Sequence, residues 1–170
     1  DFAFFLQNCS SLTTLDVSAW DTSQVTSFKN FADSCSSLTT LDVSAWDTSQ
    51  VTDFSFFIQN CSGLTTLNVS AWDTSQVTNF EFFADGCSSL TTVTVNGGTG
   101  SPFADSPCTD YSSAFANTDL NQGSIDDILV AIEAAGTSNG TFDQSGGSAP
   151  SSTGETAIDA LRGRGWTISV

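Results

Sequence analysis

Two hydrophobic patterns alternate along the first half of the chain. Leu41 and Val43 alternate with polar residues between Thr40 and Ser44, which is the pattern of a short strand with one buried face. The second pattern has helical spacing, with apolar residues at i, i+3, i+4 and i+7: Phe28, Phe31, Ala32 and Cys35. A polar turn, Asp47-Thr48-Ser49, follows the strand. The sequence therefore predicts a unit of strand, turn, short helix and turn.

This unit recurs with a period of 26 residues. The segment CSSLTTLDVSAWDTSQVT at residues 9–26 returns unchanged at 35–52, and residues 61–78 differ from it only at Gly63 and Asn68. Such a period predicts a solenoid of stacked coils, with parallel strands about 4.8 Å apart. Stacking in register would bury one column of indole rings: Trp20, Trp46 and Trp72. Because the chain starts within a unit, we expect that further copies preceded it.

The period ends before the last third of the chain, which divides it into a repeat region at 1–96 and a C-terminal α/β cap at 97–170. Gly97-Gly98-Thr99-Gly100 predicts a loop. Residues 103–108 resemble residues 31–35, and we therefore expect a degenerate coil at the start of the cap.

Two helices and two strands are expected in the rest of the cap. Ser124 with Asp127, and Ser152 with Glu155, have the spacing of helix starts. The first helix would bury one apolar face, made of Ile125, Ile128, Leu129 and Ile132. The strands are expected at 140–144 and 166–170, the second with Trp166, Ile168 and Val170 directed inward. An open solenoid end needs a lid of this kind.

The repeat also resembles a known family. The pattern LxxLDVSxWDTSxVTxFxxFFxxCSSL, over residues 1–95, is similar to the BspA-like leucine-rich repeats of bacterial surface proteins. Met often stands in that family at four positions that are Phe in this chain: Phe2, Phe28, Phe54 and Phe80. The resemblance implies a leucine-rich-repeat-like fold and adhesion at cell or virion surfaces. Residues 121–170 resemble a carboxy-terminal module of phage tail-fibre and other structural proteins, which implies a recognition or structural appendage.

Composition narrows the classes of function. Three basic residues, Lys29, Arg162 and Arg164, stand against 19 acidic ones, and the net charge is −16. Nucleic acids and anionic membranes are therefore excluded as partners, because both need a basic surface. With no His, the chain lacks the base of a catalytic triad and the usual zinc ligand. No apolar run approaches the roughly 18 residues of a membrane span. We predict a protein that is not an enzyme and does not insert into a membrane.

The outward residues of the predicted strands form a candidate binding face. Its rows are Thr14, Asp16 and Ser18, then Thr40, Asp42 and Ser44, then Thr66, Asn68 and Ser70. A grid of short hydroxyls and carboxylates on a rigid scaffold suits sugar hydroxyls or a protein partner, because little side-chain entropy is lost on binding. Two alternatives stay open: an ordinary solvated sheet face, and an ice-binding threonine array that the aspartates would interrupt.

Two further columns each have a functional and a structural interpretation. One is acidic: Asp21, Asp47 and Asp73. These carboxylates could supply calcium with oxygen ligands, or cap their own turns through backbone N–H groups. The other is a column of thiols: Cys9, Cys35, Cys61 and Cys87. We expect buried thiols there, since side-by-side helices seldom bring Cα atoms close enough for disulfides and the CxxC spacing of metal sites is missing.

A third column is aromatic and has an unexpected position. Phe4, Phe56 and Phe82 each follow an inward Phe by two residues, whereas the second unit has Asn30 there. Two residues turn a helix by about 200°, so these rings would point outward and mark an interface with another subunit or a ligand. The alternative is that the segment is too irregular for helical geometry and that the rings turn inward.

We therefore predict a capped, right-handed α/β solenoid of leucine-rich-repeat type that acts by binding. The expected role is recognition of a host-surface glycan or protein by the distal part of a phage tail fibre or similar virion appendage, through multivalent contact. Homo-oligomerisation, or association with other appendage subunits, is expected by analogy, and we expect an extracellular location. The alternatives are a bacterial cell-surface adhesin and a purely structural spacer. No cofactor is expected, and calcium at the acidic column is the one alternative.

Overall fold

A computed structural model gives the structure of the protein and describes residues 1–96 and 101–170. The predicted loop at Gly97-Gly98-Thr99-Gly100 lies outside the described residues. The elements, in chain order, are β1 (Thr14–Leu15), β2 (Thr40–Leu41), β3 (Thr66–Asn68), β4 (Thr92–Thr94), β5 (Asp110–Tyr111), α1 (Gln122–Ala134), β6 (Thr141–Asp143), α2 (Ser152–Gly163) and β7 (Thr167–Ser169). Neither helix in the described part of the chain is long and apolar enough to cross a bilayer.

The short strands pair with strands one period away. β1 is parallel to β2 with Thr14 opposite Thr40, and β3 is parallel to β4 with Thr66 opposite Thr92. Leu41 is buried between exposed Thr40 and Asp42, as the alternating pattern predicts. Equivalent residues of paired units therefore lie next to one another, with their leucines facing the core.

Stacked aromatic rings fill the core between the units. The ring centroids of Trp20 and Trp46 are 6.5 Å apart, and those of Trp46 and Trp72 are 6.4 Å apart, as the repeat predicts. Phe54 stacks on Trp72 of its own unit at 4.5 Å. The Trp72 indole N–H donates a 3.0 Å hydrogen bond to the Val43 carbonyl of the preceding unit, so the one polar atom of this ring has a partner.

The helix predicted within each unit is wrong. Residues 28–35 form consecutive turns, because Asn30 and Ser34 adopt left-handed backbone angles with φ of 52° and 64°. Alternate N–H groups donate to carbonyls of the next unit instead of to the same segment; that of Asn30 donates to Ser55 at 3.0 Å. Turns with a period of four residues place apolar side chains at the same spacing as a helix, so the sequence pattern did not distinguish the two.

The cap continues this stack and then closes it. Tyr111 stacks on Phe80 at 5.3 Å, and the Phe82 N–H donates to the Ser112 carbonyl. The segment that continues the stack therefore begins at Tyr111, which takes the place equivalent to Phe80. The expected equivalence of residues 103–108 with residues 31–35 is wrong, because these residues precede that segment. β5, β6 and β7 form a parallel sheet in which Tyr111, Phe142 and Ile168 are opposite one another.

Helix α1 begins at Gln122, two residues before the predicted start, and α2 begins at Ser152 as predicted. Asn121 caps α1 and Ser151 caps α2. Ser124 lies inside α1, where its hydroxyl accepts a 3.1 Å hydrogen bond from the Val93 N–H of β4. The predicted apolar face of α1 is buried, whereas Val170, predicted inward, is 45% exposed at the chain end. Helix α1 therefore covers the free edge of β4, which would otherwise present unpaired backbone groups.

Candidate functional site

The predicted binding rows lie on the outer surface of the strands. Thr14, Thr40 and Thr66 are exposed, as are Asp16 and Asn68. The serines that end the rows are exposed in the first unit and partly buried in the next two: Ser18, Ser44 and Ser70. The structure therefore presents hydroxyl, carboxylate and carboxamide groups side by side.

Each acidic residue of these rows is held by the serine two residues later. The Asp42 Oδ1 atom accepts hydrogen bonds from the Ser44 N–H at 3.1 Å and from the Ser44 hydroxyl at 2.6 Å, and Asp16 has the same bonds with Ser18. The serine hydroxyl, followed by the N–H group, lowers the pKa of Asp42. Within the described residues the Oδ2 atom accepts no hydrogen bond, so one ionised oxygen in a fixed position stays available for a ligand hydroxyl.

The strand pairing is interrupted in the middle of this face. In residues 1–96, no backbone hydrogen bond joins β2 to β3. The same two units are hydrogen-bonded to each other on both sides of this opening. Before the strands the Asn30 N–H donates to the Ser55 carbonyl, and after them the Thr78 N–H donates to the Thr52 carbonyl. The opening is therefore local, and strand backbone groups on both of its edges have no partner in the neighbouring unit.

A depression of about 310 Å³ lies at this interruption. It is lined by Leu41 and by five predicted binding residues: Thr40, Asp42, Ser44, Thr66 and Asn68. The other predicted binding residues, Thr14, Asp16, Ser18 and Ser70, lie outside it. The depression therefore lies between the second and third units.

One difference between the repeat units lies beside this depression in the sequence. Gly63 replaces the Ser that stands at Ser37 in the preceding unit, three residues before β3. A Cβ atom at Gly63 would lie 3.0 Å from the Ser36 carbonyl oxygen and 3.1 Å from that of Leu38. The backbones of the two units therefore approach closely just before the opening, which only a residue without a side chain allows without displacement.

The acidic column of the WDTS turns has a structural use. Oδ1 of Asp21, Asp47 and Asp73 accepts the N–H of Ser23, Ser49 and Ser75, respectively, at 2.9–3.1 Å. No three potential metal-ligating side chains form a cluster anywhere in the described residues. The structure thus gives these carboxylates a turn-capping role.

The cysteines of the described residues are free thiols. The expected burial is wrong for Cys9, which is exposed in the first unit, whereas the other four are buried. The Cys87 thiol donates to the Ile58 carbonyl of the preceding unit, and burial raises the pKa of Cys87 to about 12 and that of Cys108 to about 11. The buried thiols are therefore protonated at neutral pH and unreactive.

The predicted aromatic column of Phe4, Phe56 and Phe82 forms a stacked pair and one separate ring. Phe56 and Phe82 are partly exposed and stack with centroids 5.0 Å apart, while Phe4 is 53% exposed. Asn30, buried in the second unit, lies between the separate ring and the pair. The rings neither form a continuous ridge nor turn into the core.

Comparison with known proteins identifies a family and no individual relative. No curated protein and no solved structure matches the chain. One family model matches residues 1–127, which include all four repeat units, β5 and the first turn of α1. This family is associated with BspA-like repeat proteins. The chain therefore belongs to the family described as "Mycoplasma protein of unknown function, DUF285".

Proposed function

We propose that the protein is a non-enzymatic recognition module built as a leucine-rich-repeat-like solenoid, and that its ligand is a glycan on a host-cell surface. The interruption between β2 and β3 carries the proposal, because it lies in a depression lined by hydroxyl, carboxylate and carboxamide groups. A sugar presents hydroxyls that can donate to Asp42 Oδ2 and to strand carbonyls and can accept from strand N–H groups. The net charge of −16 favours a neutral or basic glycan over an acidic one.

The site is suited to weak, repeated contact. Its polar groups are short and held by local hydrogen bonds, so little conformational entropy is lost when a ligand orders them. The depression is small, at about 310 Å³, and we expect useful avidity only when several copies act together. This requirement fits the distal part of a phage tail fibre or a similar oligomeric virion appendage, which is the role that we propose.

A second candidate is a bacterial cell-surface adhesin that uses the same face. Membership of a family associated with BspA-like repeats favours it, since the sequence resembles that class of bacterial surface protein over the repeat region. The two candidates differ in the parent polypeptide: fibre or coiled-coil repeats upstream would favour the virion, and a secretion signal with a wall anchor would favour the adhesin.

The binding proposal is tested on a glycan array with the full chain clustered on a multivalent support. The variant T40A/D42A/T66A is expected to lose at least tenfold of the bound signal, because it removes three lining groups of the depression. The matched control is T14A/D16A, which changes the same residue types outside the depression and is expected to bind as the original chain does. Equal binding by both variants, or no glycan bound by the original chain, would contradict the proposal.

A further inference from the structure

The stacked pair of Phe56 and Phe82 forms a second surface that the glycan site does not use. The two ring planes are 15° apart and the centroids 5.0 Å apart. Both residues lie in the turn segments, away from the strand rows in each unit, and both rings stay partly exposed. Each ring has one face against the other ring, so each ring also has an outer face that points away from the pair.

The backbone at both rings is unfavourable for phenylalanine. Phe56 and Phe82 have φ of 57° and 53°, in the left-handed region that bulky residues seldom adopt. Asn30 and Ser113 have φ of 52° and 53° at the equivalent places of neighbouring coils. Asn is among the residues that tolerate this conformation best. Packing alone would therefore be served at least as well by Asn, and the presence of two rings points to a use beyond folding.

One outer face of the pair already holds a cation. The Lys29 Nζ atom lies 5.9 Å from the centroid of the Phe56 ring, within the range in which an ammonium group is attracted by the face of an aromatic ring. The outer face of Phe82 lies toward the next coil, where the small residue Ser113 occupies the equivalent place, and no cation lies over it among the described residues. The pair is thus a platform with one of its two cation positions filled.

The chain has no other cation to fill the second position. Of its three basic residues, Lys29 lies over Phe56, Arg164 pairs with Glu133 at 2.9 Å, and Arg162 donates to the Ile168 carbonyl. Two acidic residues are close to Phe82 in the sequence: Glu81 directly precedes it, and Asp85 follows it by three residues. A second copy of this chain, with a net charge of −16, is therefore a poor occupant. A basic protein is complementary in charge.

We propose that the Phe56–Phe82 pair is a docking surface for a partner protein segment with exposed Arg or Lys side chains. One such side chain lies over the outer face of Phe82, as Lys29 lies over Phe56. The guanidinium of Arg suits this position better than the ammonium of Lys, because it stacks flat on a ring and is more weakly hydrated. This surface serves assembly with a basic subunit and acts independently of the glycan face.

The test measures binding of a labelled octa-arginine peptide to the full chain at about 150 mM salt, where long-range attraction is screened. Phe82→Asn is expected to weaken binding about fivefold. Phe82→Tyr, which keeps the ring, is expected to bind like the original chain. Lys29→Gln frees the face of Phe56 and is expected to strengthen binding about twofold, which a purely structural role for the rings does not predict.

Phe4→Asn is the matched control, because Phe4 has the same left-handed backbone with φ of 61° but no stacked neighbour at its place in the next unit. An octa-citrulline peptide, which has the same shape without charge, is expected not to bind. Equal affinity of Phe82→Asn and the original chain, or equal losses in Phe82→Asn and Phe4→Asn, would overturn the proposal. If Phe82→Asn fails to fold, Phe82→Leu replaces it, with the same two outcomes.

Discussion

The Asn121 side chain joins the cap to the last repeat unit: its Nδ2 atom donates a 2.7 Å hydrogen bond to the Thr91 carbonyl, while its Oδ1 atom accepts the N–H of Ser124. One residue thus caps helix α1 and satisfies an acceptor beside β4. This carboxamide therefore contributes to the stability of α1 and of its attachment to the last repeat unit, together with the Asn121 N–H, which donates to the same carbonyl at 2.8 Å.

Asn121→Ala is expected to lower the free energy of unfolding by about 2 kcal/mol, through loss of the N-cap and of the bond to Thr91. Urea denaturation followed by circular dichroism measures this change. Ser138→Ala, an exposed substitution in the same cap, is the control and is expected to stay within about 0.5 kcal/mol of the original chain. Equal stability of the two variants would show that the cap does not depend on this contact.

Phe54→Ala is expected to lower the free energy of unfolding by about 3 to 5 kcal/mol, because Phe54 is fully buried and stacks between Phe28 and Phe80. The comparison is Phe4→Ala, which removes a ring of the same size that is 53% exposed and is expected to cost less than about 1 kcal/mol. Thermal and urea unfolding of both variants measures the difference. Similar losses would mean that the rings do not stack as described.

Thiol labelling is expected to distinguish Cys9 from the other four cysteines. At neutral pH a maleimide should modify Cys9 within minutes, because it is exposed, while burial raises the pKa of Cys87 to about 12 and so suppresses its thiolate. In denaturant all five should react at similar rates. Mass spectrometry of the labelled chain gives the count. Fewer than five reactive thiols in denaturant without reductant would reveal a disulfide, and rapid labelling of Cys61 in the native state would contradict its burial.

Acid is expected to weaken the repeat region through its turn-capping aspartates. The serine hydroxyls and N–H groups lower the pKa of Asp16 and Asp42, and the same holds for Asp21 and Asp47 with their own serines. A carboxyl with a pKa below its unfolded value contributes stability above that value, and the contribution is lost as the pH falls through the folded pKa. Stability should therefore decline below about pH 4, the ordinary pKa of Asp.

The double variant S18A/S44A is expected to show a shallower acid dependence, because the two lowered pKa values return toward normal. S36A/S37A changes two exposed serines of the same chain and is expected to keep the original slope. Unfolding free energies between pH 3 and 7 test this difference. Asp127 acts in the opposite direction, since burial and Asp126 raise its pKa and its contribution grows as the pH falls. A slope that did not change in S18A/S44A would show that these aspartates do not control acid stability.

Local pattern alone misjudged two segments for the same physical reason. Residues 28–35 have the apolar spacing of a helix but form turns, because their N–H groups find acceptors in the next unit. Ser124 has the spacing of a helix start, but Asn121 caps α1 and the Ser124 hydroxyl binds the Val93 N–H instead. In both cases the partner lies 25 to 31 residues away, beyond the range of any local rule.

The sequence by itself determined the main core-facing and solvent-facing positions of the strands in the repeat region, because a repeat of 26 residues gives equivalent positions equivalent surroundings. It therefore identified the tryptophan column and the outer rows of Thr, Asp and Ser. Only the tertiary structure decided that β2 and β3 stay unpaired and that Phe56 and Phe82 stack at the surface. Apart from Gly63 and Asn68 the repeated segment is the same in the second and third units, so the separation depends on how the backbones of two units are placed, which local sequence does not fix.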